Sequence, residues 1–202
     1  MLASVTKAAT TNSQLLRKSF ESCDMVRINE KKFVINELTE QVPATSPELL
    51  LQAAERVAEI ADFKNANKIV GEEEKGAIVV AAVSLLTGLP FGLARWYPSG
   101  LPGQIAVDFS CEYTNGQIYL NGVEAGDRVV IVDDMVSTGG TMIALIEAIR
   151  QAGAEIVDVV SVAAKEEYDG IERIKDATGI HVKTVLMLSV SGDKSSVKWC
   201  HE

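Results

Sequence analysis

The sequence predicts an α/β fold: a doubly wound, mainly parallel five-stranded sheet with a small N-terminal hood and a flexible hairpin lid. Three observations predict it. Strand-length apolar runs start at Lys68, Phe91, Val129, Ile156 and Val182, and the run from Val129 is apolar at consecutive positions, as in a parallel strand buried on both faces. Helical patterns fall between several of these runs, the alternation that builds a doubly wound sheet. At 202 residues the chain fits one domain with a substantial core. Residues 1–45 are expected as the hood or N-terminal flap, 46–202 as the core, and 97–120 as the lid hairpin.

In chain order, Leu15, Leu16 and Phe20 mark a short amphipathic helix within 12–23. Lys31 to Leu38 reads as a strand centred on Phe33, Val34 and Ile35, and Pro43 ends that excursion. Ser46-Pro47 is a helix start, with Ser as N-cap and Pro at the first helical position. Lys68-Ile69-Val70 is a brief strand ending at Gly71, followed by the charged loop Gly71-Glu72-Glu73-Glu74-Lys75-Gly76. Ala77 to Leu86 is so apolar that it is expected as a helix buried against the sheet. Phe91 to Ala94 is a strand ending at Arg95, whose planar guanidinium at a strand's carboxyl end can hold a phosphate. Between Gln104 and Leu120 two alternating strands flank Thr114-Asn115-Gly116, where Asn-Gly signals the hairpin turn. Such a hairpin over a sheet's carboxyl edge makes a water-excluding lid, and Ser110-Cys111-Glu112-Tyr113 lies just before its turn. Gly153 closes the helix at 140–151, Ile156 to Ala163 is a strand, Asp169 to Thr178 a helix, Val182 to Ser189 a strand and Ser196 to Cys200 an edge strand.

The chain is organised around Val129 to Thr141, Val-Val-Ile-Val-Asp-Asp-Met-Val-Ser-Thr-Gly-Gly-Thr. The buried strand is expected to stop at Asp133 and Asp134, at the carboxyl end where open α/β sheets bind ligands, with the acids at an edge and not in the core. Ser137-Thr138-Gly139-Gly140-Thr141 then leads into the helical pattern Met142, Ile143, Leu145, Ile146, Ile149. A strand, a loop of hydroxyls and glycines and a helix N-terminus make a phosphate cradle. Two acids beside a phosphate site conflict unless the ligand is a phosphorylated sugar, with its phosphate in the loop and its vicinal hydroxyls donating to the carboxylates.

Composition bounds the rest. Acidic residues number 28 against 19 basic, for a net charge of −9, which argues against a general nucleic-acid or anionic-membrane surface. Cys23, Cys111 and Cys200 are odd in number and widely spaced, with only His181 and His201 as possible nitrogen ligands. Reduced thiols in a cytoplasmic protein are the default, and a zinc site is not expected. The first residues lack the apolar core of a signal peptide, and no run is long enough to span a bilayer.

The apolar strand, paired acids and Thr-Gly-Gly-Thr loop closely resemble the 5-phosphoribosyl 1-diphosphate (PRPP) motif of type I phosphoribosyltransferases. Gly71, Glu73 and Gly76, with Lys75 in place of Arg, resemble the loop of the adenine enzymes whose backbone binds pyrophosphate. Ser110-x-Glu112-Tyr113 resembles their base-contacting loop, while Tyr119 to Asp127 and the Pro47-Glu-Leu-Leu region look like archaeal hypoxanthine/guanine enzymes. Where the family usually follows Arg95 with lysines, this chain has Trp96-Tyr97.

The resemblance implies transfer of ribose 5-phosphate from PRPP to a purine, adenine preferred, in purine salvage. The alternatives are a hypoxanthine/guanine enzyme or a non-catalytic PRPP-sensing regulator. By that resemblance Asp133, Asp134 and Glu112 are catalytic, and Asp133, Asp134, Met135, Val136 and the Ser137, Thr138, Gly139, Gly140, Thr141 loop bind PRPP. Glu73, Glu74, Lys75, Gly76 and Arg95 take pyrophosphate, and Tyr113, Val136, Phe33 and Ile35 take the base. Mg²⁺ is expected to arrive carried by PRPP, with no direct protein ligand assigned, and a homodimer is expected.

Overall fold

The computed structural model describes residues 13–110 and 115–201. Helix α1 (Gln14–Phe20) buries Leu16 and Phe20 and is followed by the hairpin β1 (Met25–Ile28) and β2 (Lys31–Val34), paired antiparallel. β1 is not in the sequence reading, because only its first residue is even half-buried and a strand without a buried face leaves no apolar signal. Helix α2 (Pro47–Ile60) opens as its sequence dictates: Ser46 Oγ accepts the Leu49 N–H and Pro47 takes the first position.

The central sheet has six strands in the order β10-β9-β8-β7-β3-β4. They are β3 (Lys68–Glu72), β4 (Phe91–Ala94), β7 (Arg128–Val136), β8 (Glu155–Lys165), β9 (Lys183–Ser189) and β10 (Ser196–Cys200), with β5 (Ile105–Ser110) and β6 (Asn115–Leu120) forming a separate hairpin. All neighbours in the central sheet are parallel except β10, antiparallel to β9. The five expected strands are therefore the parallel core, and the expected edge strand is the sixth. From β3 the chain runs through helix α3 (Ala77–Thr87) to β4 on one side. Beyond the hairpin it crosses to β7 on the other and continues through helices α4 (Gly140–Gln151) and α5 (Gly170–Thr178) to β8 and β9. The strand order reverses between β3 and β7, which opens a crevice at their carboxyl ends.

Two apolar layers sandwich the sheet. One joins Leu16, Phe20, Val57, Val79 and Val83 of α1–α3 to the near face; the other joins Leu145, Ile149 and Ile174 of α4 and α5, with Phe109 and Ile118 of the hairpin, to the far face. Helix α4 ends in a Schellman motif: Gly153, at φ +75°, donates to Arg150 O and Ala154 to Ile149 O.

Three expectations change. β7 does not stop at the acids but runs through them to Val136, because Met135 and Val136 still pair with Ala163 and Ala164 of β8. Asn115-Gly116 is not the hairpin turn; Asn115 already pairs with Ser110, which leaves four residues, 111–114, as the connection. Helix α3 is buried along one stripe only: Val79, Val80 and Val83 are enclosed, while Leu85 is 87% exposed. Among the described residues no helix is long and apolar enough to cross a membrane.

Ile131 is fully enclosed on the central strand, so Ile131→Ala is expected to cost about 2–5 kcal/mol. Leu85→Ala is expected to change stability by less than about 0.5 kcal/mol. The two denaturant midpoints check the pair.

Candidate active site

The crevice is walled by acids. Continuing the β3–β7 register of Val70 opposite Ile131 by two residues sets Glu72 level with Asp133. Oxygens of Glu72, Asp133 and Asp134 lie within 4.8 Å of one another. Asp133 and Asp134 are only 5% and 4% exposed, more enclosed than the sequence suggests, because β7 carries them below the rim before it ends. They nevertheless line the cleft. Asp133 Oδ1 accepts the Asp134 N–H at 2.9 Å, whereas Asp134 Oδ2 has no hydrogen-bond partner among the described residues.

Both acids hold protons more tightly than ordinary carboxyls. Burial, then the charges of Asp134 and Glu72, pushes Asp133 well up, and burial followed by Glu72 raises Asp134 to about 7. Opposite them stands Lys75, ion-paired with Glu40. Burial works against its ammonium, but the hydrogen bond and charge of Glu40, with Asp134 and Glu74 behind, hold its pKa above the ordinary lysine value.

Glu72 is built differently. Its Oε1 accepts the N–H groups of Lys75 (2.7 Å) and Gly76 (3.1 Å), and its Oε2 accepts those of Glu74 (2.9 Å) and the Trp96 indole (3.0 Å). The 73–76 loop is thus folded round a carboxylate from the preceding strand. Gly76 is required by proximity, since a Cβ there would come within 2.7 Å of Asp133 Oδ1.

The loop expected to cradle a phosphate follows β7. Gly139 sits at φ +80°, where a Cβ would strike Gly170 O and Ile174 at 2.8 Å, and α4 begins at Gly140 with no side-chain cap. Its first-turn amides therefore face the cleft at the positive end of the helix. Ser137 Oγ is buried without a partner among the described residues, and Arg173 donates to Thr138 O at 3.1 Å. The chemistry of this wall suits a sugar phosphate, with anion donors at one end and carboxylate acceptors beside them. A divalent cation also fits, since Asp133 and Asp134 offer hard oxygen donors and one of these is orphaned, while Glu72 has its oxygens engaged.

The cleft measures about 100 Å³. Met135, Val136, Ser137, Thr138, Gly139, Gly140 and Thr141 line it, as do Glu74, Lys75 and Phe33. Glu73, Arg95 and Ile35 do not: Glu73 accepts the Trp96 backbone N–H, Arg95 Nε lies 3.9 Å from Glu73, and Ile35 donates to Asp24 O. Glu112 and Tyr113 lie outside the described residues.

The wall includes side chains missed in the sequence, among them Glu72, Trp96, Lys165, Thr39 and Glu40. Lys165 ends β8 as Arg95 follows β4, so the strand-end rule applied to Arg95 would have found it. Only 4% exposed, it donates from Nζ to Lys32 O at 2.8 Å and lies 4.8 Å from the Phe33 ring centre, tying the β1–β2 hairpin to the cleft. A larger groove of about 690 Å³, lined by Ile60, Ile171, Val182, Met187 and Trp199 among others, lies beyond Lys165 and lacks both the acids and the cradle.

Comparison with known proteins gives this geometry a family. Residues 48–185 match the phosphoribosyl transferase domain model. The chain is 41% identical over 180 residues to a hypoxanthine/guanine phosphoribosyltransferase of Methanocaldococcus jannaschii, covering 89% of this chain and 97% of that protein. It is 36% identical over 184 residues to the protein of that name from Methanothermobacter thermautotrophicus, covering 91% and 93%. Among solved structures, the adenine phosphoribosyltransferase of Thermoanaerobacter pseudethanolicus superposes with a TM-score of 0.73 at 19% identity, covering 87% of this chain and 99% of that one. That of Rhodothermus marinus gives 0.71 at 28%, covering 88% and 100%. The paired acids at the strand switch and the uncapped cradle beside them are thus those of a chain that belongs to the phosphoribosyl transferase family.

Proposed function

We propose that the chain is a purine phosphoribosyltransferase that moves ribose 5-phosphate from PRPP to hypoxanthine or guanine and releases pyrophosphate. The observation that carries the reaction is one cleft wall joining the Asp133–Asp134 pair to the uncapped start of α4. The 5′-phosphate lies in the 137–141 cradle and the ribose hydroxyls donate to the two aspartates, which face the positive charge that develops on the ribose as pyrophosphate leaves. Glu74, Lys75 and the loop to Gly76 take the pyrophosphate, with Glu73 holding the loop to Arg95 and Trp96. Mg²⁺, when bound, screens the diphosphate, with Asp133 and Asp134 as the protein oxygens within reach.

The choice of base rests on the relatives and on Lys165. An ammonium has donors and no acceptor, so Lys165 suits the 6-carbonyl of hypoxanthine or guanine and is mismatched to the 6-amine of adenine. Phe33 and Val136 supply apolar surface for the ring. The adenine expectation rested on Glu112 and Tyr113 and on Ser137 standing where hypoxanthine-guanine enzymes usually carry an acid; the resemblance to adenine enzymes among solved structures includes pairs below 25% identity, and such pairs speak to fold alone.

With PRPP and Mg²⁺ held constant, hypoxanthine or guanine is expected to turn over at least about tenfold faster than adenine, in an assay of pyrophosphate release. Lys165→Met is expected to lower kcat/KM for hypoxanthine by about tenfold or more, the worth of a charge-assisted hydrogen bond, with little change in KM for PRPP. A faster adenine reaction restores the adenine reading, and PRPP binding without turnover on any base identifies a sensor.

Asp134 makes a second prediction with opposite signs for activity and stability. The folded chain keeps protons on Asp133 and Asp134 at pH values where the unfolded chain has released them, so both subtract from stability as pH rises above the ordinary carboxylate range, Asp134 through about 7. Asp134→Asn is expected to cut kcat by about tenfold or more. It is also expected to raise Tm at pH 8, by about 2–4 °C for each kcal/mol of repulsion relieved, with a smaller gain at pH 5. Kinetics and thermal melts at the two pH values check both signs.

A further inference from the structure

Glu72 differs from the two aspartates in having both oxygens fully engaged. Four N–H donors between 2.7 and 3.1 Å, three of them the successive amides of Glu74, Lys75 and Gly76, converge on its carboxylate. Four donors fill the acceptor capacity of a carboxylate, and successive amides turned to one point form an anion nest. These amides belong to the loop whose backbone is assigned to pyrophosphate. One set of donors cannot serve two anions.

We infer that Glu72 is a tethered anion gate: its carboxylate fills the amide nest of the 73–76 loop in the free enzyme and leaves it when the diphosphate of PRPP, or pyrophosphate, binds. This rests on the phosphoribosyl transfer reading above and adds the residue that sets the affinity for the diphosphate end. Three further observations agree. The cleft, at about 100 Å³, is well below the ~300–1,000 Å³ of typical ligand sites, and Glu72 is part of its wall. Retreat separates its carboxylate from two buried carboxyl groups within 4.8 Å. The departing group also releases the Trp96 indole N–H, which ties the movement to an optical reporter.

The opposite role, a brace that pre-shapes the loop for pyrophosphate, predicts effects of opposite sign. Inorganic pyrophosphate with Mg²⁺ is titrated by calorimetry into the full chain, its Glu72→Ala variant and the near-isosteric Glu72→Gln, each confirmed as folded by its thermal melt. A gate predicts that Glu72→Ala binds pyrophosphate about tenfold tighter or more, with Glu72→Gln between it and the wild type, and that KM for PRPP falls while kcat does not rise. The chain has two tryptophans, so Trp199→Phe leaves Trp96 alone. Its emission is expected to shift on adding pyrophosphate in that background, and to start shifted when Glu72→Ala is added. In a wild type that turns over PRPP, unchanged or weakened pyrophosphate binding in both Glu72 variants overturns the gate alone, as does binding with no change in Trp96 emission. A wild type with no turnover of PRPP on any purine overturns the reaction and the gate together.

Discussion

Repulsion among three carboxylates at the switch between β3 and β7 governs this molecule. Glu72, Asp133 and Asp134 face one another behind a nearly dry wall, where like charges are far more costly than in water. Each carboxylate meets the cost differently. Glu72 accepts four N–H donors, Asp134 feels the ammonium of Lys75, and Asp133 holds its proton beyond the ordinary carboxyl range. Such an arrangement works against folding and persists where a ligand gains from it. Under the proposed reaction the ribose hydroxyls supply a donor to Asp134 Oδ2, which has none among the described residues.

Everything else holds that wall still. β7 is paired with β3 on one side and β8 on the other, so the acids project from the most constrained strand of the sheet. Gly139 turns the chain where Gly170 and Ile174 leave no room for a Cβ, aiming the start of α4 at the same point. Across the cleft, the β1–β2 hairpin is fastened through Phe33 between Lys75 and Lys165. Cation–π contacts of this kind contribute only ~0.5–2 kcal/mol each, and hydrogen bonds from Lys165 Nζ to Lys32 O and from the Lys32 N–H to the Tyr168 hydroxyl add to them.

The motif Val129 to Thr141 was legible because each of its parts is a local rule: four apolar residues make a buried strand, Gly139 permits the turn, and a helical period follows. The same locality explains the misses. β1 has no buried face and so no pattern, and Asn115-Gly116 carries the preferred turn pair yet lies in the strand, because pairing of β5 with β6 fixes the register. Ala77 to Leu86 is apolar almost throughout and is buried against the sheet as expected, but packing on one sheet face encloses only one stripe of it.

Sequence alone determined the parallel core, the order of its elements and the place of the paired acids beside a phosphate loop, because these follow from period, turn chemistry and spacing along the chain. Tertiary structure alone decided that Glu72 joins those acids from a strand some sixty residues away and that its carboxylate gathers the amides of the next loop. Strand order causes the difference: β3 and β7 are distant in sequence and adjacent in the sheet, and a like-charge meeting across that gap leaves no trace in local pattern.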